Sequence, residues 1–379
     1  MRPLRILWLQ WRDIKHPWSG GAEVYMHEVS RRLAREGFRV HVATSWFPGL
    51  KPLEKIDGYT VERVGTHDNY ILYVPHFLKR YSSWANVIIE DTSKAPLMTP
   101  LLRPKKHIPV LAVVHHLNRE IYFYETSLLK ALIAYLLESH MTRLYTHLPN
   151  TILITISKST KQELVKLGAD PKKIIIAPNA INNTISADPS LQLKSLEPSV
   201  IYLSRIKKYK QPYHALLAFK IILKHVPKAK LIIAGKGTNI LLKYIKRLGI
   251  EHAVEVHGEV DEETKMKLLR RAWILIQTSM KEGFGITVLE AATCKTPTIA
   301  YNVPGLRDSV KHMETGVLVE PRNIEQLAKT ITHLLTHHEL RNRLAENAYR
   351  HAQQYSWDKT AKTFLKAIEG VIYLSLIHI

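Results

Sequence analysis

A chain of 379 residues is longer than one hydrophobic core usually serves, so two domains are expected. Its 46% hydrophobic and 23% charged residues exclude disorder, and a single cysteine, Cys294, excludes a disulfide framework and any cysteine-based metal cluster. The net charge of +21 is spread evenly, with 25 Lys/Arg against 15 Asp/Glu in residues 1–185 and 29 against 18 in the rest, and it calls for an anionic partner. No zinc-finger spacing or RNP-type aromatic motif is present, so nucleic acid is not expected as that partner. Met1 to Gln10 reads as a short buried strand rather than a leader, and no run reaches the roughly 18 apolar residues that span a bilayer. A cytoplasmic placement suits that pattern and the cysteine count.

Apolar runs alternate with amphipathic stretches along the first half, the pattern of parallel strands and crossover helices. Strands are expected at Arg5–Leu9, Arg39–Thr44, Val87–Glu90, Val110–His115 and Thr151–Ile156, with helices at Ala22–Glu36 and Ser159–Leu167. Residues 183–198 are polar and aperiodic, and read as a linker between domains at 1–182 and 199–354. The alternation then restarts. Strands are expected at Ser199–Leu203, Lys230–Ala234, Val254–His257, Trp273–Gln277, Thr298–Tyr301 and Gly316–Val319. Helices are expected at Tyr213–His225, Ile240–Leu248, Glu262–Arg271 and Ile324–Thr336. A final helical segment, 355–373, follows a break near Tyr355-Ser356-Trp357-Asp358, where Ser356 or Asp358 is the expected cap. The last six residues, Leu374-Ser-Leu-Ile-His-Ile379, translate one frame of a transposase sequencing adapter. They are read as assembly read-through from a metagenomic source, with native sequence ending near Tyr373; a native apolar helix end is the alternative.

The most informative stretch is Glu282-Gly283-Phe284-Gly285-Ile286-Thr287-Val288-Leu289-Glu290, which sets two carboxylates eight positions apart across a glycine turn. It follows a strand and opens a helix, whose free N–H groups suit a phosphate while the carboxylates accept bonds from sugar or ribose hydroxyls. Arg205 and Lys210 lie on the strand-to-helix loop before Pro212, where two cations can clamp a diphosphate. Gly235-Lys236-Gly237 and His257-Gly258-Glu259-Val260 end the next two strands at the same ligand-facing edge. Gly20-Gly21 precede a helix and offer N–H groups to phosphate from the first domain. His115-His116 end a strand. No third metal ligand accompanies them, so a polar contact to a transferred sugar is the better use of that pair. For each of these taken singly, a turn, a cap or a solvated basic loop explains the residues about as well.

Taken jointly and in order, these motifs resemble the retaining GT-B glycosyltransferases of family 4. The matching run is Gly-Gly-Ala-Glu at 20–23, Ile156-Ser157-Lys-Ser159, Pro178-Asn179, Ser204-Arg205 with Lys210, Ala234-Gly-Lys-Gly237, His257-Gly258, the block from Ser279 to Ala292, Thr296-Pro297, Gly316 and Ser356-Trp357. The resemblance implies a prokaryotic enzyme with two Rossmann-like doubly wound α/β domains facing a central cleft, and a last helix crossing back to the first. It assigns Arg205, Lys210, Glu282 and His115 to catalysis. It assigns Gly20, Gly21, Gly235, Gly237, His257, Val260, Gly283, Phe284, Gly285, Ile286 and Glu290 to the donor. A nucleotide-diphosphate hexose is the implied donor, with no metal or other cofactor required. Three departures stand out: Gln211 and Lys295 occupy positions where glycine is common, and Val303-Pro304-Gly305 replaces a usual Gly-Gly-x-Pro-Glu loop.

The acceptor is less defined. Leu128–Leu137 is strongly apolar, and Lys79-Arg80-Tyr81 and Arg103-Pro-Lys-Lys-His107 are basic. Together they suit a peripheral enzyme on an anionic membrane face acting on a lipid-linked or cell-envelope glycan, with a buried helix and solvated lysines as the equal alternative. A GT-B-like sugar-nucleotide epimerase and a non-catalytic basic binding protein are the rival functions.

Overall fold

Short apolar runs separated by amphipathic segments build one mostly parallel and one fully parallel sheet, each covered by helices. The computed structural model describes residues 3–181 and 194–377, and only the backbone of Thr142 and of 374–377. The expected linker therefore lies largely outside the described residues, as do the last two positions of the expected adapter tail. The chain divides into Met1–Asn179 with Trp357–Ile379, and Ala180–Ser356.

The first unit contains β1 (Arg5–Leu9), α1 (Gly21–Arg35), β2 (Arg39–Ser45), β3 (Leu53–Ile56), β4 (Tyr59–Val64), α2 (Val74–Arg80), β5 (Val87–Asp91), α3 (Thr99–Leu102) and β6 (Val110–Val114). It continues through α4 (Tyr122–Glu125), α5 (Leu128–His147), β7 (Thr151–Thr155), α6 (Lys158–Lys166) and β8 (Ile174–Ile176). Its strands run in the order β3-β4-β2-β1-β5-β6-β7-β8, all parallel except the β3–β4 hairpin. The order reverses between β1 and β5, which makes their carboxyl ends the ligand-binding edge. β5 and β6 are buried along their whole length, as a sheet covered on both faces requires.

The second unit contains β9 (Ser199–Leu203), α7 (Pro212–Leu223), β10 (Lys230–Ala234), α8 (Leu242–Leu248), β11 (Val254–Gly258), α9 (Glu262–Arg271), β12 (Ile274–Gln277), α10 (Ile286–Thr293), β13 (Thr298–Tyr301), α11 (Leu306–Ser309), β14 (Gly316–Val319), α12 (Ile324–Thr336) and α13 (His338–Ala352). The sheet is fully parallel in the order β11-β10-β9-β12-β13-β14, and its reversal falls between β9 and β12. Asp261 and Asn323 accept the N–H groups of Thr264 and Gln326 and so cap α9 and α12.

The last helix, α14 (Trp357–Ile377), packs on the first unit. Phe364 stacks on Trp8 of β1 at 5.7 Å between ring centres, and Trp357 meets Tyr25 of α1 edge-on at 5.7 Å. Asp358 pairs with Arg32 of α1 at 2.5 Å. Burying each such aromatic ring contributes about 1.5–3 kcal/mol, which outweighs the exposed ion pair at its edge.

One residue of the expected basic stretches is not at the surface. Arg103 is buried, and its guanidinium donates to the carbonyls of Pro149 at 2.7 Å and Lys106 at 3.1 Å, tying two loops together. Burial lowers its pKa to about 10. The surface charge expected there falls to Lys105 and Lys106, which are exposed.

Candidate functional site

In the second unit the loops leaving β9, β10 and β11 are stitched together at the reversal edge. Ser204 N–H donates to Ala234 O at 3.1 Å, Ile206 N–H to Lys236 O at 2.9 Å, and Gly235 N–H to Gly258 O at 2.6 Å. Gly235 has φ +130°, and a Cβ there would lie 2.1 Å from Ser204 O and 3.3 Å from Arg205 N. Only glycine fits, and that close approach holds the backbone that presents Arg205. Gly237, at φ +85°, turns the chain into the next short helical segment.

Lys210 lies at the end of the same loop. Its carbonyl accepts from Tyr202 Oη at 3.2 Å and Thr278 Oγ1 at 3.1 Å. Its ammonium is ion-paired with Glu282, which also accepts from Ser279 Oγ at 2.6 Å. Burial alone would lower the Lys210 pKa, but the Glu282 carboxylate raises it well above the ordinary lysine value. Gln211 follows at φ +49° and ψ +51°, the left-handed conformation that favours glycine.

Glu282 is itself held by a glycine. Its N–H donates to Pro304 O at 3.1 Å, and a Cβ on Gly305, at φ +83°, would lie 2.1 Å from Glu282 O. The Val303-Pro304-Gly305 departure from the family pattern thus still positions this carboxylate. Gly283 is buried, and Gly285 turns left-handed to open α10 at Ile286. Glu290, in that helix, pairs with Lys265 of α9 at 2.7 Å. Burial opposes charge on Lys265, yet Glu290 and Glu262 hold its pKa above the ordinary value.

Three expected donor residues have other contacts within the second unit. The Phe284 ring is buried edge-on against Tyr355 at 5.2 Å, leaving its main chain as the part that can meet a ligand. Val260 packs against the core of the second unit. His257 is exposed and lies 3.3 Å from Glu255, a carboxylate shared with Arg271.

The first unit has its own reversal edge, after β1 and β5. His115 is buried just beyond β6, with Nε2 2.7 Å from Asp91 Oδ2 at the end of β5, and its ring meets Tyr25 edge-on at 5.2 Å. Asp91 fixes the ring and its tautomer. It carries no motif of its own, and its place at the carboxyl end of a central strand is the signal that finds it. Gly21 opens α1, but the N–H of Gly20 is already taken by Glu23 Oε2 at 2.6 Å. Glu23 is buried, which raises its pKa, and Arg12 Nε donates to its other oxygen at 2.9 Å. A carboxylate at this helix start competes with any phosphate, so Gly20 does not offer the free N–H expected of it.

An aromatic cluster without a sequence motif also sits at this edge. His16 and Trp18 from the loop after β1, Phe47 after β2 and His67 after β4 pack ring against ring at 5.2–6.2 Å, with Trp18 44% exposed. Burial first, and then Arg12 for His16 and Lys94 for His67, lower both imidazole pKa values to about 4. Both rings are therefore neutral near pH 7. His16 Nδ1 accepts from Trp18 N–H at 3.1 Å, and the buried His16 Nε2 and His67 Nδ1 have no partner among the described residues.

Residues 19–184 match the family described as Glycosyltransferase Family 4, and residues 185–351 match Glycosyl transferases group 1. The chain belongs to the family 4 glycosyltransferases. It is 27% identical to an uncharacterised glycosyltransferase of Methanocaldococcus jannaschii, over 90% of this chain and 92% of that protein. It spans about half the length of several other curated relatives it matches. Among solved structures, a sucrose-phosphate synthase from Thermosynechococcus elongatus superposes with a TM-score of 0.80 at 18% identity, covering 98% of this chain and 100% of that one. Anabaena HepE, solved in complex with UDP and glucose, superposes with a TM-score of 0.76 at 18% identity, covering 97% of this chain and 100% of that one. These neighbours carry the GT-B fold, which this glycosyltransferase shares.

Proposed function

We propose that this glycosyltransferase moves a hexosyl group from a nucleotide-diphosphate sugar to a hydroxyl acceptor with retention of anomeric configuration. The carrying observation is the meeting of Lys210 and Glu282, delivered by the loops after β9 and β12 to the reversal edge of the second sheet. Arg205 and Lys210 take the diphosphate, Glu290 the ribose, and Glu282 with the main chain of 283–286 the sugar hydroxyls and phosphate. The UDP and glucose bound by HepE, on the same fold, support that choice of ligand class.

In the reaction the bond between the anomeric carbon and the diphosphate oxygen breaks, and the acceptor oxygen bonds to that carbon on the same face. The acceptor's proton passes to an oxygen of the departing diphosphate, so no protein nucleophile is needed. Negative charge grows on the leaving group, and cations already in place stabilise it without reorganisation. The proposal gives that neutralisation to side chains rather than to a metal. In the first unit, His115, oriented by Asp91, offers a polar contact for a sugar, and the exposed ring of Trp18 a stacking surface for a sugar-bearing acceptor.

Product analysis tests the reading. Acceptor-dependent release of nucleoside diphosphate, with an α-linked product from an α-linked donor, is expected. Acceptor-independent conversion of a nucleotide sugar to its epimer would replace the reading by the epimerase, and inversion at the anomeric carbon would remove the retaining mechanism.

A further inference from the structure

We propose that the outer arc of α5 is a docking surface for an anionic lipid membrane. Leu128, Leu132 and Leu136 form one row along the helix, and Leu129, Ile133 and Leu137 the adjacent row, each at four-residue spacing. All six are exposed, Leu128 and Leu129 at 75% and 70%. The opposite side of α5 is the buried one, through Ala131, Glu138, Met141 and Tyr145. Three turns of helix therefore present leucine and isoleucine outward, an arrangement a monomeric surface seldom leaves uncovered.

Charge identifies what covers it. Glu138 is the one acidic residue between Thr126 and Asn150, and it faces inward, accepting the N–H groups of Asn118 at 2.9 Å and Arg119 at 2.7 Å. The outward arc carries no carboxylate, while Lys130 and Arg143 stand exposed on the same helix. Further cations collect where α5 ends. Arg103 and Asn150 tie the loop bearing Lys105 and Lys106 to the segment just after the helix, and Lys173 donates to Leu148 O at 3.3 Å. Leu101 and Leu102 of α3 add exposed apolar surface, with Met98 N–H anchored to Tyr145 Oη of α5 at 2.9 Å.

A second copy of the chain would cover the leucines but bring two cationic rims together. An anionic headgroup layer accepts both the apolar arc and the cations. No helix among the described residues is long and apolar enough to cross a membrane, so the arc lies in the interface plane. The inference is independent of the donor chemistry.

The test is co-sedimentation of the full chain with vesicles of phosphatidylglycerol and phosphatidylcholine, against vesicles of phosphatidylcholine alone. Binding to the anionic vesicles is expected, weakened by about tenfold or more in pure phosphatidylcholine or in high salt. Leu132→Asp with Leu136→Asp should lower vesicle binding at least about tenfold without moving the thermal midpoint, because both side chains are exposed. Lys105→Glu with Lys106→Glu should remove most of the salt-sensitive part. Anionic-vesicle binding that survives the double aspartate variant would overturn the proposal, as would wild-type chain that ignores anionic vesicles. A dimer by light scattering that the same variant dissolves would assign the arc to a second copy instead.

Discussion

The ammonium of Lys210 and the carboxylate of Glu282 form an ion pair between loops that leave neighbouring strands at the reversal edge of the second sheet. Both groups are half-buried, so the pair is shielded from water while remaining within reach of a ligand. In the proposed reaction a diphosphate at Lys210 would release Glu282 to accept sugar hydroxyls, coupling the two recognition tasks. Lys210→Ala is expected to lower turnover by about a hundred- to thousandfold, or about 2.7–4 kcal/mol of barrier, with acceptor KM little changed. Steady-state kinetics on a working donor checks it, and near-normal kcat would reject the assignment.

Two glycines carry the site's backbone geometry. Gly235→Ala would drive a Cβ to 2.1 Å from Ser204 O, and Gly305→Ala would do the same to Glu282 O. Each should cost about 2–3 kcal/mol of stability and weaken nucleotide binding, since the backbone under Arg205 or Glu282 must shift. Denaturant unfolding with and without nucleotide measures both effects.

Gln211 is the converse case. It holds a left-handed backbone at φ +49°, and its buried Oε1 has no partner among the described residues. Gln211→Gly relieves about 1–2 kcal/mol of backbone strain against about 0.5–1 kcal/mol of added chain entropy. A small net stabilisation is expected, read as a rise in thermal midpoint. A fall would mean that the side chain contributes packing the backbone argument omits.

His16 and His67 set an acid limit. Their folded pKa values of about 4 lie below the ordinary histidine value of 6.5, so the unfolded chain binds more protons between those two points. Their contribution is fully present above pH 6.5 and is lost as pH falls through 6.5 towards 4. The thermal midpoint should drop across that window, and His16→Gln with His67→Gln should flatten the drop. An unchanged slope in the variant would place the acid sensitivity elsewhere.

Much of this could be read before the fold was seen, for particular reasons. β1, β9, β10, β13 and β14 are uninterrupted apolar runs bounded by polar or turn residues, so their limits coincide with the expected ones. The candidate donor residues are marked in the sequence by their glycine spacing. Gln211 and Lys295, noted as departures from glycine, both prove left-handed, at φ +49° and +50°, so the pattern reports backbone conformation rather than contact. The β3–β4 hairpin escaped notice although Asp57-Gly58, both at positive φ, is a strong two-residue turn signal. Arg103 looked like one cation of a basic stretch and Glu23 only the end of a Gly-Gly-Ala-Glu motif, because their roles depend on carbonyls and amides that only folding brings near. The aromatic cluster of His16, Trp18, Phe47 and His67 comes from three separate loops, and no local pattern connects them.

The most direct test of the account is thermal unfolding of the purified chain against UDP, GDP, ADP and their common sugar conjugates, beside Lys210→Ala. A ligand at a hundred times its dissociation constant stabilises by about 2.7 kcal/mol, enough for a visible shift. The account predicts selective stabilisation by one nucleotide class, reduced in the variant. Equal thermal midpoints with and without every nucleotide would contradict a donor site at Lys210 and Glu282.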